Sequence, residues 1–190
     1  MELEDNLADF TGGYSDVKRV QYGERLFNWL VTYIPSHTFR QAFLRWSGAT
    51  IGTGTSIMMG TTVFGVNRLV IGNNCSIGSR VLLDARGGLT IDDDVVVASD
   101  VQFITGKHLV NTDDFGNYLA PVHVKHHAWV ASRSTVLLGL TIGVGAVVGA
   151  CSMVNRDVDD MAIVAGTPAT VRGKRESSLA YHPNFRPMLY

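Results

Sequence analysis

Six histidines lie in this chain, and four of them fall between positions 108 and 127. An imidazole is the side chain best suited to take a proton from a neutral nucleophile near pH 7, since its free pKa is about 6.5. A hydroxyl needs such help, because its own pKa is far higher. His108 is placed for this work: it ends "ITGKH" and opens "KHLVNTDDFGNYLAPVH", whose Asn, Asp, Gly and Pro read as a loop. A loop histidine equally caps a turn, and the residues alone leave both roles open. Its second ring nitrogen needs a partner, which a backbone carbonyl, Asp113 or Asp114 could supply. Asp84, in "LLDARGGLTI", offers a carboxylate that could hold an acceptor's hydroxyl, or else a solvated corner. His123, His126 and His127 raise the question of a metal. The last two adjoin in one extended segment, which should send their side chains to different sides, and no metal site is expected. Cys75 reads as a packed thiol and Cys151 as an outward one.

The elements that must position these groups follow a period of six. Aliphatic residues recur at Ile51, Ile57 and Val63; then, after a two-residue slip, at Ile71, Ile77, Leu83, Leu89, Val95 and Val101; then at Val124, Val130, Val136, Ile142, Val148 and Val154. Neither a helix nor an alternating strand has this period, so it is an internal repeat. Four residues after each aliphatic the chain is mostly small or β-branched, as at Thr55, Cys75 and Ala146, with Asn67, Asp93 and Leu140 departing. One large and one small inward residue per hexad describe a triangular coil, and three hexads complete a turn. The expectation is a parallel β-helix of about five coils. Gly52, Gly72, Gly78, Gly143 and Gly149 follow the aliphatic, where a missing Cβ lets backbones approach.

Before the repeat, residues 16–34 carry apolar side chains at near-helical spacing up to Pro35, and Ser36 can cap a second helix bearing Phe39, Ala42, Phe43 and Trp46. These helices are expected to plug the open end of the coil. Lys18, Arg19, Arg25, Arg40 and Arg45 flank the aromatics and also allow contact with a membrane surface. The expected divisions are a lead-in and cap over 1–47, the β-helix over 48–165 with a loop at 107–123, and a tail over 166–190.

The repeat, together with "GATIGTGTSI", "LTIDDDVVVASDVQFITGKH", "AWVASRSTVLLGLTIGVGAVVGACSMV" and "VAGTPATVRGKR", resembles the hexapeptide-repeat O-acetyltransferases of sugars and polysaccharides. The resemblance covers roughly residues 36–175 and implies a left-handed β-helix, a homotrimer and acetyl-CoA as donor. It implies that His108 is the general base, since "ITGKH" matches the family's Thr-x-x-His segment, and that Asp84 binds the acceptor. It places Trp129, Ser132, Ala150, Asn155, Arg156, Arg172 and Lys174 along the coenzyme A groove. The tail departs from the family at Thr170, where a Lys or Arg is usual; Arg172, Lys174 and Arg175 could restore that charge. The zinc-binding histidine spacing of the γ-type carbonic anhydrases, a related β-helix class, is absent. The expected function is O-acetylation of a carbohydrate hydroxyl, with N-acylation of an amino sugar or antibiotic and a non-catalytic sugar-binding scaffold as alternatives.

Bulk properties narrow the field further. A net charge of −1 gives no basic face for nucleic acid. A mean hydropathy of +0.13 with 17% charged residues describes a folded chain with a large core. The acidic start without an apolar run, and two cysteines, lead to an expectation of a cytoplasmic protein with reduced thiols, possible also at the inner membrane surface.

Overall fold

Three parallel sheets wrap a single core in the computed structural model, which describes residues 18–183 and 185–187. The lead-in expected over residues 1–15 lies outside the described residues. The first face stacks Thr50–Ile51, Leu69–Ile71, Leu89–Ile91, Val122–Val124 and Thr141–Ile142. The second stacks Ser56–Ile57, Ser76–Ile77, Val96–Val97, Trp129–Val130, Val147–Val148 and Ala162–Ala165, and ends in Thr170–Lys174, which runs antiparallel. The third stacks Thr62–Phe64, Leu82–Asp84, Gln102–Phe103, Thr135–Val136 and Met153–Val154. The chain therefore completes five coils and begins a sixth, so the parallel β-helix is as expected. Its first corner leads from the first face to the second, its second corner on to the third face, and its third corner back to the first.

The third coil corrects the repeat. Ile71, Ile77 and Leu83 pair with Ile91, Val97 and Phe103, not with the expected Leu89, Val95 and Val101. A second two-residue slip follows Leu83, matching the one after Val63. Val95 and Val101 then fill the inward places that Asp93 and Ser99 were expected to take, and both valines are fully buried. Asp93 stands outside, where Asn73 N–H donates to it at 2.6 Å. Both slips, and the protruding segment after Phe103, fall on the third corner. At Gly52 an added Cβ would stand 2.5 Å from the Gly72 carbonyl carbon, so stacking there requires glycine.

Two helices, α1 (Lys18–Trp29) and α2 (His37–Ser47), close the first coil. Ser36 caps α2 as expected, its Oγ accepting from Phe39 N–H at 3.3 Å. Phe27 and Leu44 enter the core, and polar side chains of the cap complete the open edge of the coil. Asn28 exchanges hydrogen bonds with Val63 N–H (2.9 Å) and C=O (2.7 Å), Gln41 donates to Thr55 C=O (2.6 Å), and Arg45 Nε donates to Ile51 C=O (3.0 Å). Arg40 is fully buried and donates to Ile57 and Ile34 carbonyls. It therefore belongs to the plug and not to a basic fringe. An unpaired buried backbone group costs about 1–3 kcal/mol, so these contacts replace the missing ladder.

At the other end, Thr170–Lys174 lies on the sheet edge as an exposed strand, and the chain then turns back along the first corner. Arg175 donates to the carbonyls of His127 (3.0 Å) and Gly145 (3.1 Å) and to Tyr181 Oη (2.6 Å). Its charge is thus used to fasten the tail rather than to restore that lost at Thr170. His182 Nδ1 meets Asp94 Oδ1 at 2.7 Å, and Ser56 Oγ donates to Phe185 C=O at 2.7 Å. The tail spans the solenoid from its last coil to its first.

Candidate functional site

Where a loop was expected over 107–123, a hairpin leaves the third corner, and Val122 and His123 are already back in the first face. Gly106–His108 pairs antiparallel with Asn117–Leu119. Its base is fixed by Thr105, whose N–H donates to Asp84 Oδ2 at 3.2 Å and whose Oγ1 accepts from Gly87 N–H at 2.9 Å. Alternation along the strand puts Gly106 and His108 on one side and Lys107 on the other, where its ammonium lies 5.3 Å from the Tyr118 ring centroid.

His108 is exposed, and its ring lies 4.4 Å from that of Phe115 at an interplanar angle of 11°. Its Nδ1 is 3.1 Å from the Phe115 carbonyl oxygen. A carbonyl only accepts, so Nδ1 donates in this contact, and in the neutral ring the lone pair is then on Nε2. Phe115 holds φ at +47°, a conformation that costs a non-glycine residue energy and turns its carbonyl toward the imidazole. Of the three partners that could orient His108, the structure selects the carbonyl. Asp114 instead braces the turn, accepting from Gly116 N–H at 3.1 Å, and hydrogen bonds from Thr112 and Gly116 hold its carboxyl below the ordinary range.

Asp84 is turned inward and saturated. Its side chain accepts from Arg86 Nε (2.8 Å), Arg86 Nη2 (2.9 Å), Arg86 N–H (3.1 Å) and Thr105 N–H (3.2 Å). A carboxylate offers about four acceptor sites, so the expected bond to an acceptor hydroxyl has no place here. Burial pushes the Asp84 carboxyl up, but the hydrogen bonds and charge of Arg86, with the Thr105 N–H, outweigh it and leave it lowered. Asp84 instead aims Arg86. That guanidinium lies 5.7 Å from the Phe64 ring centroid, and its Nη2 passes 3.7 Å from where a Cβ at Gly106 would stand. Arg86 thus lies at the foot of the hairpin, on the side His108 shares. Reading the sequence singled out neither Arg86 nor Phe115; "DARGG" signalled the first, and nothing signalled the second.

The other expected site residues divide between corners. Ser132 and Ala150 stand at equivalent positions of successive coils on the second corner, because Trp129 pairs with Val147. Arg172 joins this column, its Nη2 3.4 Å from where a Cβ at Gly166 would stand. Trp129 is 46% exposed on the second face, and Lys174 ends the exposed edge strand. Asn155 and Arg156 follow Met153–Val154 and so lie on the third corner, which also carries the hairpin of His108. One chain does not bring His108 together with the column of Ser132 and Ala150.

His126 and His127 differ from expectation: their Nδ1 atoms lie 3.1 Å apart, because His127 takes φ of +60° at the first corner. His123 Nε2 meets Asp92 Oδ1 at 2.9 Å. Among the described residues no group of His, Cys, Asp or Glu has metal-holding geometry. A hollow of about 560 Å³ at this corner, against Asp92, Asp93, Asp94, His126 and His127, lies away from the His108 hairpin. Cys75 is buried and its thiol is pushed up to about 11, chiefly by burial; Cys151 is exposed, and both are free.

No protein-family model matches the chain. The putative colanic acid biosynthesis acetyltransferase WcaF of Escherichia coli K12 is 30% identical over 139 residues, covering 73% of this chain and 76% of that protein. A chloramphenicol acetyltransferase of Agrobacterium fabrum is 32% identical over 114 residues, covering 58% of this chain; the chain spans only about half of that relative's length, 54%. Among solved structures, a hexapeptide-repeat acetyltransferase of Vibrio cholerae in complex with acetyl coenzyme A superposes with a TM-score of 0.74. It is 22% identical and covers 84% of this chain and 86% of its own, a likeness of fold.

Proposed function

This chain belongs to the hexapeptide-repeat acetyltransferases, and from that premise we propose that it moves an acetyl group from acetyl-CoA to a carbohydrate hydroxyl. His108 is the general base. The observation that carries this reading is the contact of His108 Nδ1 with the Phe115 carbonyl, which leaves Nε2 to take a proton. As the acceptor oxygen attacks the thioester carbonyl, Nε2 removes its proton; the carbon–sulfur bond breaks, and the imidazolium returns the proton to the leaving thiolate. Arg86 and Asp84 hold the floor of the acceptor side. Trp129, Ser132, Ala150 and Arg172 form the donor side, with Lys174, Asn155 and Arg156 available to phosphate oxygens. The colanic acid name of one relative and the names of galactoside O-acetyltransferases of Lactococcus lactis and Escherichia coli support a sugar acceptor.

The split between corners supports a site shared by copies of the chain, in a homotrimer. The second corner of one copy lies beside the third corner of the next, and His108 then reaches the neighbour's column. No described helix is long and apolar enough to cross a membrane. The use of acetyl-CoA as donor is what supports a place on the cytoplasmic side.

Acetyl-CoA binding is tested before any acceptor is known. At 100 times its Kd the donor adds about 2.7 kcal/mol to stability, and the unfolding midpoint is expected to rise by several degrees. Thiol release on a panel of free and polymeric sugars then reports the acceptor. An unchanged midpoint at millimolar acetyl-CoA would remove the donor from this proposal.

A further inference from the structure

Helix α1 carries large apolar side chains on its outer side as well as on its inner one. Its inner side buries Val20 and Phe27 in the core and sets Gly23 against Ser47 of α2. Its outer side shows Tyr22 (67% exposed), Leu26 (41%) and Trp29 (81%), followed by Leu30 (55%) and Tyr33 (63%). At 100° per residue, Tyr22, Leu26 and Trp29 fall within 60° of one another, on the side away from Val20 and Phe27, and Leu30 follows just past the helix end. Seven of the fourteen large hydrophobics exposed among the described residues lie between positions 22 and 46, so this is a patch and not the usual scatter. A plug needs only an inner apolar side, so the outer aromatics call for a cover of their own.

Charge identifies the cover. The exposed charged residues of α1 are Lys18, Arg19 and Arg25, all basic. Its one acid, Glu24, is turned inward, where its carboxylate accepts from Gly65 N–H at 2.7 Å. By helical angle Arg19 borders the aromatic stripe on one side, and Lys18 and Arg25 border it on the other. Trp and Tyr with an apolar body and a polar tip, Leu between them and cations at the edge are the composition of a helix lying in a lipid headgroup layer. We infer that the outer face of α1 docks the protein on an anionic bilayer surface. This goes beyond the proposed transfer reaction and does not depend on it.

Sedimentation of the full chain with vesicles tests the docking without turnover. The protein is expected to sediment with mixed phosphatidylcholine–phosphatidylglycerol vesicles and to stay in solution with phosphatidylcholine alone. Trp29→Ser is expected to weaken the partition about tenfold, and the double change Arg19→Glu, Arg25→Glu by about tenfold or more. Unfolding midpoints should hold, because these side chains are exposed. The double change leaves the aromatic stripe intact, so it tests the docking even where Trp29→Ser fails to fold. Failure of the full chain to sediment with the anionic vesicles overturns the inference. So does a fall in molecular mass in Trp29→Ser by light scattering, which would assign the face to a second copy. Residues before α1 include Glu2, Glu4, Asp5, Asp9 and Asp16. If only a chain lacking residues 2–16 sediments, that segment is the occupant and the inference falls. Donor binding, followed by the thermal shift, stands or falls separately.

Discussion

His108→Ala is expected to lower turnover by about 10²- to 10⁴-fold while leaving the Kd for acetyl-CoA unchanged. The size follows from the chemistry, because without the base the alcohol must attack while still protonated. The selectivity follows from the proposed roles: His108 takes the acceptor's proton, while the donor is held by the column of Ser132 and Ala150. The side chain is exposed and contacts chiefly Phe115, so its removal should leave the fold intact. Stopped-time thiol release, thermal shift with acetyl-CoA and unfolding midpoint together separate these effects. Near-full turnover in the variant would end the assignment of the base. Weakened donor binding with turnover preserved at saturating donor would make the imidazole a contact to coenzyme A instead.

Asp84→Ala is expected to cost about 1–3 kcal/mol of stability, chiefly because it leaves the buried Thr105 N–H without its acceptor; the half-exposed Arg86 guanidinium turns to water. Urea unfolding at pH 7 measures this. The sign with pH is fixed by the lowered folded-state value of Asp84. Its contribution is fully present above the unfolded carboxyl value of about 3.9 and is lost as pH falls through the folded value. The gap between wild type and variant should therefore be wide at neutral pH and close in acid. If the variant instead unfolds at the wild-type urea concentration while the KM for the acceptor rises, Asp84 touches the acceptor after all.

The fold was legible because a solenoid repeats its own instructions. Each large aliphatic marks the centre of a flat side, and the structure places those at Ile57, Ile77, Val130 and Val148 in the core. The third coil was misframed because Leu89, Val95 and Val101 are as apolar as Ile91, Val97 and Phe103, and both sets are inward. The warning was Asp93, a carboxylate standing where a small buried residue belonged. At the site, His108 and its hairpin could be located from "ITGKH" and the lapse of the repeat. The orienting carbonyl could not, since every residue has one and only the backbone angles of Phe115 select it. Asp84 was identified as important but given the wrong neighbour, because the Arg86 fork lies just two residues away on a corner whose turn the sequence does not describe. The tail's return along the first corner depends on contacts such as Ser56 with Phe185, 129 residues apart, which no local pattern encodes.

The stacked coils also make the protein a ruler. Neighbouring strands lie about 4.8 Å apart, so every position on a corner is a graduation along the solenoid axis. The hairpin of His108 leaves the third coil, and Arg156 follows the fifth on the same corner, two graduations above it. Ser132 and Ala150 are one graduation apart. The height between His108 and Arg156 is therefore set by an integer count of coils rather than by any side chain. Substitutions adjust contacts at a fixed height. Inserting or removing one coil between them would change that length in a single step, and with it the length of donor that the proposed site would span.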